Sequence, residues 1–216
     1  MHNTVKNLIY IEELIKSKAN HDEFTKIIAV SKTFPIENVL PLIEHGHLHY
    51  GENKVQEALD KWSDIKLKNN AIKLHLIGRL QTNKVKFALR IFDYIHSLDS
   101  ERLAIKIADE QKKQEKNSKI FIQVNIGNED QKSGINKDNL VDFYKFCKNL
   151  NLDIIGTMCI PPNEGNVEKY FSEMSDLNKE LNFKELSMGM SGDFLQAIKY
   201  NATYIRIGSK IFGSRT

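Results

Sequence analysis

Short apolar or β-branched runs alternate along this chain with stretches in which apolar residues recur every three or four positions. The runs are Ile27–Ser31, Leu48–Gly51, Lys73–Ile77, Tyr94–Leu98, Ile120–Asn125, Ile154–Met158, Glu185–Met188 and Tyr204–Gly208. The helix-period stretches between them are Ile36–His45, Val55–Ile65, Thr82–Leu89, Glu101–Glu115, Lys137–Cys147, Val167–Leu181 and Phe194–Lys199. Runs of the first kind read as strands and stretches of the second as helices. Their strict alternation predicts a parallel sheet with helices outside it. Ahead of the first run, Met1 to Lys18 carries Leu8, Ile9, Ile11, Leu14 and Ile15 among charges, which predicts an extra amphipathic N-terminal helix rather than a leader.

Eight strands close a (β/α)8 barrel, and 216 residues suit a compact one. An open doubly wound sheet would produce the same alternation. The count of eight, and the absence of GxGxxG after the first strand, favour closure. The expectation is one TIM-barrel domain over residues 1–216, with no linker, low-complexity tract or short repeat.

Composition narrows the function classes. An apolar fraction of 41% and a charged fraction of 27% are ordinary for a globular protein. The net charge is only +3 with scattered lysines, so no basic stripe for nucleic acid is visible. No apolar stretch approaches the roughly 20 residues of a membrane span. Two cysteines, Cys147 and Cys159, form no CxxC pair. The expectation is a reduced cytoplasmic protein with no nucleic-acid or membrane partner.

In such a barrel, chemistry sits where strands end and the following loops begin. Those positions hold Ser31-Lys32-Thr33, Gly51-Glu52-Asn53, Gly78-Arg79, Gln123-Val124-Asn125, Thr157-Met158-Cys159, Ser187-Met188-Gly189-Met190-Ser191-Gly192, and Arg206 followed by Gly208-Ser209. Lys32 ends a run apolar enough to be buried on both faces. It either snorkels to solvent or presents an amine whose charged form the apolar wall disfavours. Arg206, inside Tyr204–Gly208, needs a partner, because an unpaired buried charge is costly. The serines and glycines after strands 7 and 8 are either ordinary tight turns or a neutral phosphate cup. Barrels often bind phosphate at that position. An amine, a guanidinium and a phosphate cup at one mouth describe a site for pyridoxal 5′-phosphate.

Other motifs carry less. Gly208-x-x-x-x-Gly213-Ser214-Arg215 lacks the lysine of a phosphate loop. His45, His47 and His49 alternate, yet no fixed cysteine partner is near to suggest a metal. Cys159 reads as a small buried residue, and Glu52 and Asp193 as solvated or capping carboxylates.

Several blocks together resemble the pyridoxal phosphate homeostasis protein family. They are Ala29–Thr33, Gly51-Glu52-Asn53, His75–Lys84, Gln123-Val124-Asn125, Lys132-Ser133-Gly134, Ser187–Ser191 and Arg206–Gly213, in order and over nearly the whole chain. The resemblance implies an alanine-racemase-like barrel (PLP fold type III) with Lys32 as the Schiff-base lysine. It implies that Arg206 approaches the pyridine nitrogen and that the phosphate lies among Ser187, Ser191, Gly208 and Ser209. Asn53 and Met158 would line the surroundings of the ring. Thr157 departs from the Leu of the family's Gly-Leu-Met pattern and is expected to alter packing beside the ring.

Two functions fit such a site. One is a non-catalytic carrier that supplies pyridoxal phosphate to apo-enzymes. The other is a racemase-like enzyme, which needs a second proton-transfer group facing Lys32. In alanine-racemase-like enzymes that group comes from a further β-domain. The chain ends at Thr216, eight residues after Gly208, so the carrier role and a monomer are expected.

Overall fold

The computed structural model describes residues 1–18, 25–162 and 165–214. Eight parallel strands close on themselves in sequence order: β1 (Lys26–Val30), β2 (His49–Glu52), β3 (Lys73–Leu76), β4 (Tyr94–Leu98), β5 (Lys119–Val124), β6 (Ile154–Cys159), β7 (Glu185–Met190) and β8 (Tyr204–Ile207). Closure is made by β1 and β8, with Ile28 opposite Arg206. The barrel expected from the count of eight is therefore the fold of this chain.

The helices are α1 (Asn3–Lys18), α2 (Leu40–Glu44), α3 (Val55–Lys68), α4 (Val85–Ile91), α5 (Glu101–Gln114), α6 (Leu140–Asn149), α7 (Val167–Glu180), α8 (Phe194–Lys199) and α9 (Ser209–Phe212). Three of them differ from the periodicity reading in the same way. Ile36–Asn38, Thr82–Lys84 and Lys137–Asn139 are 3₁₀ turns that lead into α2, α4 and α6. Such turns satisfy helix-end groups by i→i+3 bonds and keep nearly the same side-chain spacing, so periodicity does not separate them from α-helix. The short α9 was not foreseen.

Alternation along each strand sorts the side chains into two apolar layers. Ile27 and Ala29 of β1 join the large core between sheet and helices, with Trp62, Phe92 and Phe171. Ile28 and Val30 join a small cluster with Tyr94, Phe121, Met158 and Tyr204, which fills the barrel. The expected N-terminal helix is present as α1, which buries Val5, Leu8, Ile11 and Ile15 along one stripe and packs on α9, α2 and α8. Asn7 of α1 donates from Nδ2 to the Ile211 carbonyl at 3.0 Å, tying the first helix to the last.

Candidate functional site

A cavity of about 340 Å³ opens at the C-terminal end of the strands. Val30, Ile77, Ile160, Phe34 and Met190 supply apolar walls, and Lys32, Asn53, Ser191, Arg206, Gly208 and Ser209 supply polar groups. Six of the residues expected at the site thus meet around one space.

Lys32 is positioned by its turn. The Ser31 N–H donates to the Gly51 carbonyl at 3.0 Å, and the Phe34 N–H returns to the Ser31 carbonyl at 3.1 Å. Thr33, between them, has φ of 68°, an unusual conformation for a β-branched residue. It is held there by α3, whose Glu57 Oε1 accepts from the Thr33 N–H at 2.7 Å. Lys61 of the same helix donates to the Ser31 carbonyl at 2.9 Å. Phe34 packs on Phe212 of α9, ring centroids 5.0 Å apart, and closes that side.

Glu52 has a larger part than its sequence context suggested. It is fully buried, not solvated or capping. Its Oε1 accepts from Ser31 Oγ at 2.8 Å, Lys61 Nζ at 2.9 Å and Trp62 Nε1 at 3.0 Å. A buried carboxylate is tolerated when paired and hydrogen-bonded. Here the pair anchors the strand end beside Lys32 to α3. Asp193 stands at the N-cap position of α8, and its Oδ1 accepts the Met190 N–H at 2.6 Å.

Arg206 forms part of the cavity floor and is 4% exposed. Its Nη1 donates to Ser187 Oγ and its Nη2 to the Cys159 carbonyl, both at 2.8 Å. Burial pulls the guanidinium below its usual pKa, partly opposed by Cys159 and Asp193. The partner that its sequence position demanded is thus a hydroxyl and a carbonyl. Ser191 Oγ accepts the Gly208 N–H at 3.3 Å, which joins the loops after β7 and β8. Gly78 fixes Asn53. A Cβ at residue 78 would lie 2.4 Å from the Asn53 carbonyl oxygen and 2.8 Å from its Cα, so only glycine allows this approach.

Two expected residues are placed elsewhere. Ser187 and Met158 are fully buried, paired across β6 and β7, and do not line the cavity. They point inward one layer below the mouth, and Ile160 and Ser191 take the rim positions. Thr157 lies between inward positions and so faces the helices. Its hydroxyl donates to Asn178 Oδ1 of α7 at 2.8 Å, away from the ring site. Sequence reading missed Phe34, Ile77 and Ile160, and named Met190 only as part of the loop after strand 7. Strand alternation within the run Lys73–Ile77, and continued past Met158, would have found Ile77 and Ile160. Cys159 is buried in β6, and burial pushes its thiol up to about 12. Among the described residues, no group of histidine, cysteine or acid side chains is arranged to hold a metal ion.

Fold and mouth together define a class. Residues 11–216 match the family model described as "Alanine racemase, N-terminal domain". A protein of Aquifex aeolicus (strain VF5) named "Pyridoxal phosphate homeostasis protein" is 38% identical over 218 residues, covering 95% of this chain and 93% of the relative. The chain belongs to the pyridoxal phosphate homeostasis protein family. Among solved structures, PipY of Synechococcus elongatus PCC7942 with PLP bound is 29% identical, with a TM-score of 0.87 over 97% of this chain and 100% of that one. The alanine racemase of Clostridium difficile 630 shares the fold alone, at 13% identity and a TM-score of 0.75, with 99% of this chain and 57% of that one covered.

Proposed function

We propose that this cavity binds pyridoxal 5′-phosphate covalently through Lys32, and that the protein serves pyridoxal phosphate homeostasis by holding the cofactor and passing it to apo-enzymes. One observation carries the reading: Lys32, Arg206 and the Ser191–Gly208–Ser209 group line a single cavity. Its volume of about 340 Å³ lies in the range of small-molecule sites. The apolar walls suit the faces of a flat ring. Two hydroxyls beside Gly208 suit a phosphate.

When bound, the cofactor supplies an aldehyde carbon and an electron-withdrawing pyridine ring. Lys32 is the nucleophile for that carbon, acting through its neutral amine. The turn tied to α3 holds it at the rim. Arg206 would hold the ring-nitrogen side of the cofactor and, being permanently charged, would disfavour protonation there, which would weaken the ring as an electron sink. Asn53 borders the ring. Ser191, Gly208 and Ser209 hold the phosphate, while Ser187 and Met158 support this floor from below.

The carrier reading is favoured over a racemase-like enzyme by proton bookkeeping. Among the described lining residues, Lys32 and Arg206 are the only ionisable ones, and an arginine does not serve as a base at neutral pH. Two-base racemisation needs a second group. A reducing, cytoplasmic setting belongs to the same proposal. It is supported by Cys147 and Cys159, which are buried and not joined. No helix among the described residues is long and apolar enough to cross a membrane.

Borohydride reduction of the protein loaded with pyridoxal phosphate, followed by peptide mass mapping, is expected to place a phosphopyridoxyl group on Lys32. A tag on surface lysines only refutes the site. The loaded protein is further expected to reactivate a pyridoxal-phosphate-dependent apo-enzyme. It should not racemise L-alanine in deuterium oxide, and turnover at around 1–10³ per second, the ordinary enzyme range, overturns the carrier role.

A further inference from the structure

Below the cavity the barrel interior is polar along one line. His49, His75 and His96 stand at inward positions of β2, β3 and β4. His49 Nδ1 faces His75 Nε2 at 2.9 Å, and His75 Nδ1 faces His96 Nε2 at 2.9 Å. His96 Nδ1 meets Ser187 Oγ at 3.0 Å, the same oxygen to which Arg206 donates. The inner rings are fully buried and stacked, His75 on Tyr94 and His96 on Phe121, each with centroids 4.2 Å apart. His49, the first residue of β2, is half-buried at the opposite end of the barrel from the cavity. The nitrogens are too close for a bridging ion held tetrahedrally at about 2.0–2.1 Å from each.

Donor accounting gives this file a direction. Arginine only donates, so Ser187 Oγ accepts from Arg206 and its own hydrogen needs another partner. His96 Nδ1 is that partner. His96 then carries its hydrogen on Nε2 and donates to His75 Nδ1, and His75 Nε2–H donates to His49 Nδ1. Every contact has one donor and one acceptor. In the reverse order both neighbours donate to Ser187, and its hydroxyl hydrogen finds no acceptor among its hydrogen bonds. Burial holds His75 and His96 far below the usual histidine pKa, hence uncharged at neutral pH. Among the described residues, Arg206 has no carboxylate within ion-pair distance; its hydrogen bonds go to neutral dipoles, and Asp193 favours its charge only from farther away. The acceptor end of the file points towards that charge.

We propose that His49, His75 and His96 form one directional file of neutral Nε2–H imidazoles which, through Ser187, stabilises the buried Arg206 charge and aims the guanidinium at the cavity. The file takes the place of a carboxylate counter-charge, so the cavity floor presents a cation with no paired anion. The three histidines and Ser187 are positioning residues. Their bearing on the cofactor rests on the reading of the cavity given above, whereas the file itself does not.

The test is long-range 1H–15N correlation on the full chain labelled with 15N-histidine at pH 7, without added cofactor. His49, His75 and His96, assigned among the seven histidines through single His→Gln variants, are expected as neutral Nε2–H tautomers. Either His75 or His96 as an Nδ1–H tautomer or a cation overturns the file, whatever the protein binds. Arg206→Met removes the donor that sets the direction and is expected to give mixed tautomers. With pyridoxal phosphate as probe, His96→Leu is expected to lower affinity about tenfold, by weakening the bonds behind a charged group, and to shift the visible absorption band. His96→Gln, with an acceptor for Ser187 and a donor for His75, should restore both. A folded His96→Leu with unchanged band and affinity refutes the positioning role. A wild-type protein that shows the tautomers but binds no pyridoxal phosphate refutes only the cofactor reading.

Discussion

Ser191 and Ser209 sit on two loops that meet at Gly208, and neither carries charge. A phosphate held there is bound by neutral donors, each hydrogen bond to a charged group contributing about 1.5–3 kcal/mol. Replacing both serines by alanine is therefore expected to weaken pyridoxal phosphate at least tenfold while sparing unphosphorylated pyridoxal. Parallel titrations of the two ligands check this, and an unchanged preference for the phosphorylated one refutes the assignment. At this scale, residue type and place in the sequence pointed to Lys32, Ser191, Arg206, Gly208 and Ser209, because strand ends and glycine-rich loops are visible in one dimension, and the family resemblance added Asn53. Ser187 and Met158, which the family resemblance put at the phosphate and the ring, do not line the cavity. A period of two assigns each to the inward face but does not say how far below the rim it lies.

Among the elements, α3 is the one that organises the lysine. It contributes Glu57 to the Thr33 N–H, Lys61 to the Ser31 carbonyl, and Trp62 to Glu52. Glu52 and Lys61 form a largely buried ion pair, with side chains 0% and 9% exposed. Removing one partner of such a pair leaves the other charge uncompensated, at a cost of about 3–5 kcal/mol. Glu52→Ala is expected to lose stability on that scale in urea denaturation, and to loosen the Lys32 turn so that pyridoxal phosphate binds more weakly. A loss below about 1 kcal/mol, typical of an exposed pair, would show that the clamp is not needed. The same packing logic explains Thr157. A hydroxyl on the outward face of β6 would be unsatisfied against an apolar helix, and α7 presents Asn178 to it.

For the whole molecule, the histidine-lined interior predicts how stability depends on pH. Burial lowers His47 and His49 to about 4, and holds His75 and His96 well below 6.5. The folded state therefore refuses protons that the unfolded chain binds below about 6.5. Above that pH neither state is protonated, and the full stability is present. As pH falls through 6.5 the unfolded state gains protons and stability declines, for His47 and His49 until about 4. Urea midpoints are thus expected to fall between pH 6.5 and 5, before ordinary carboxylates titrate. His49→Gln should lessen the slope. Midpoints that stay level over that window would contradict the burial of these rings.

The sequence by itself determined the eight strands, the main helices between them and their order. Strand and helix periods are local properties, and eight βα alternations leave few topologies that bury every apolar face. It also determined which loops carry an amine, a guanidinium and small neutral donors. The tertiary structure alone decided which inward residues share a layer. Strand stagger in a closed barrel sets how high each residue stands, and stagger is a property of the pairing between strands. That is why Ser187 lies under the cavity and why three histidines separated by 26 and 21 positions meet end to end, whereas Glu52 turns to α3 by the alternation of its own strand.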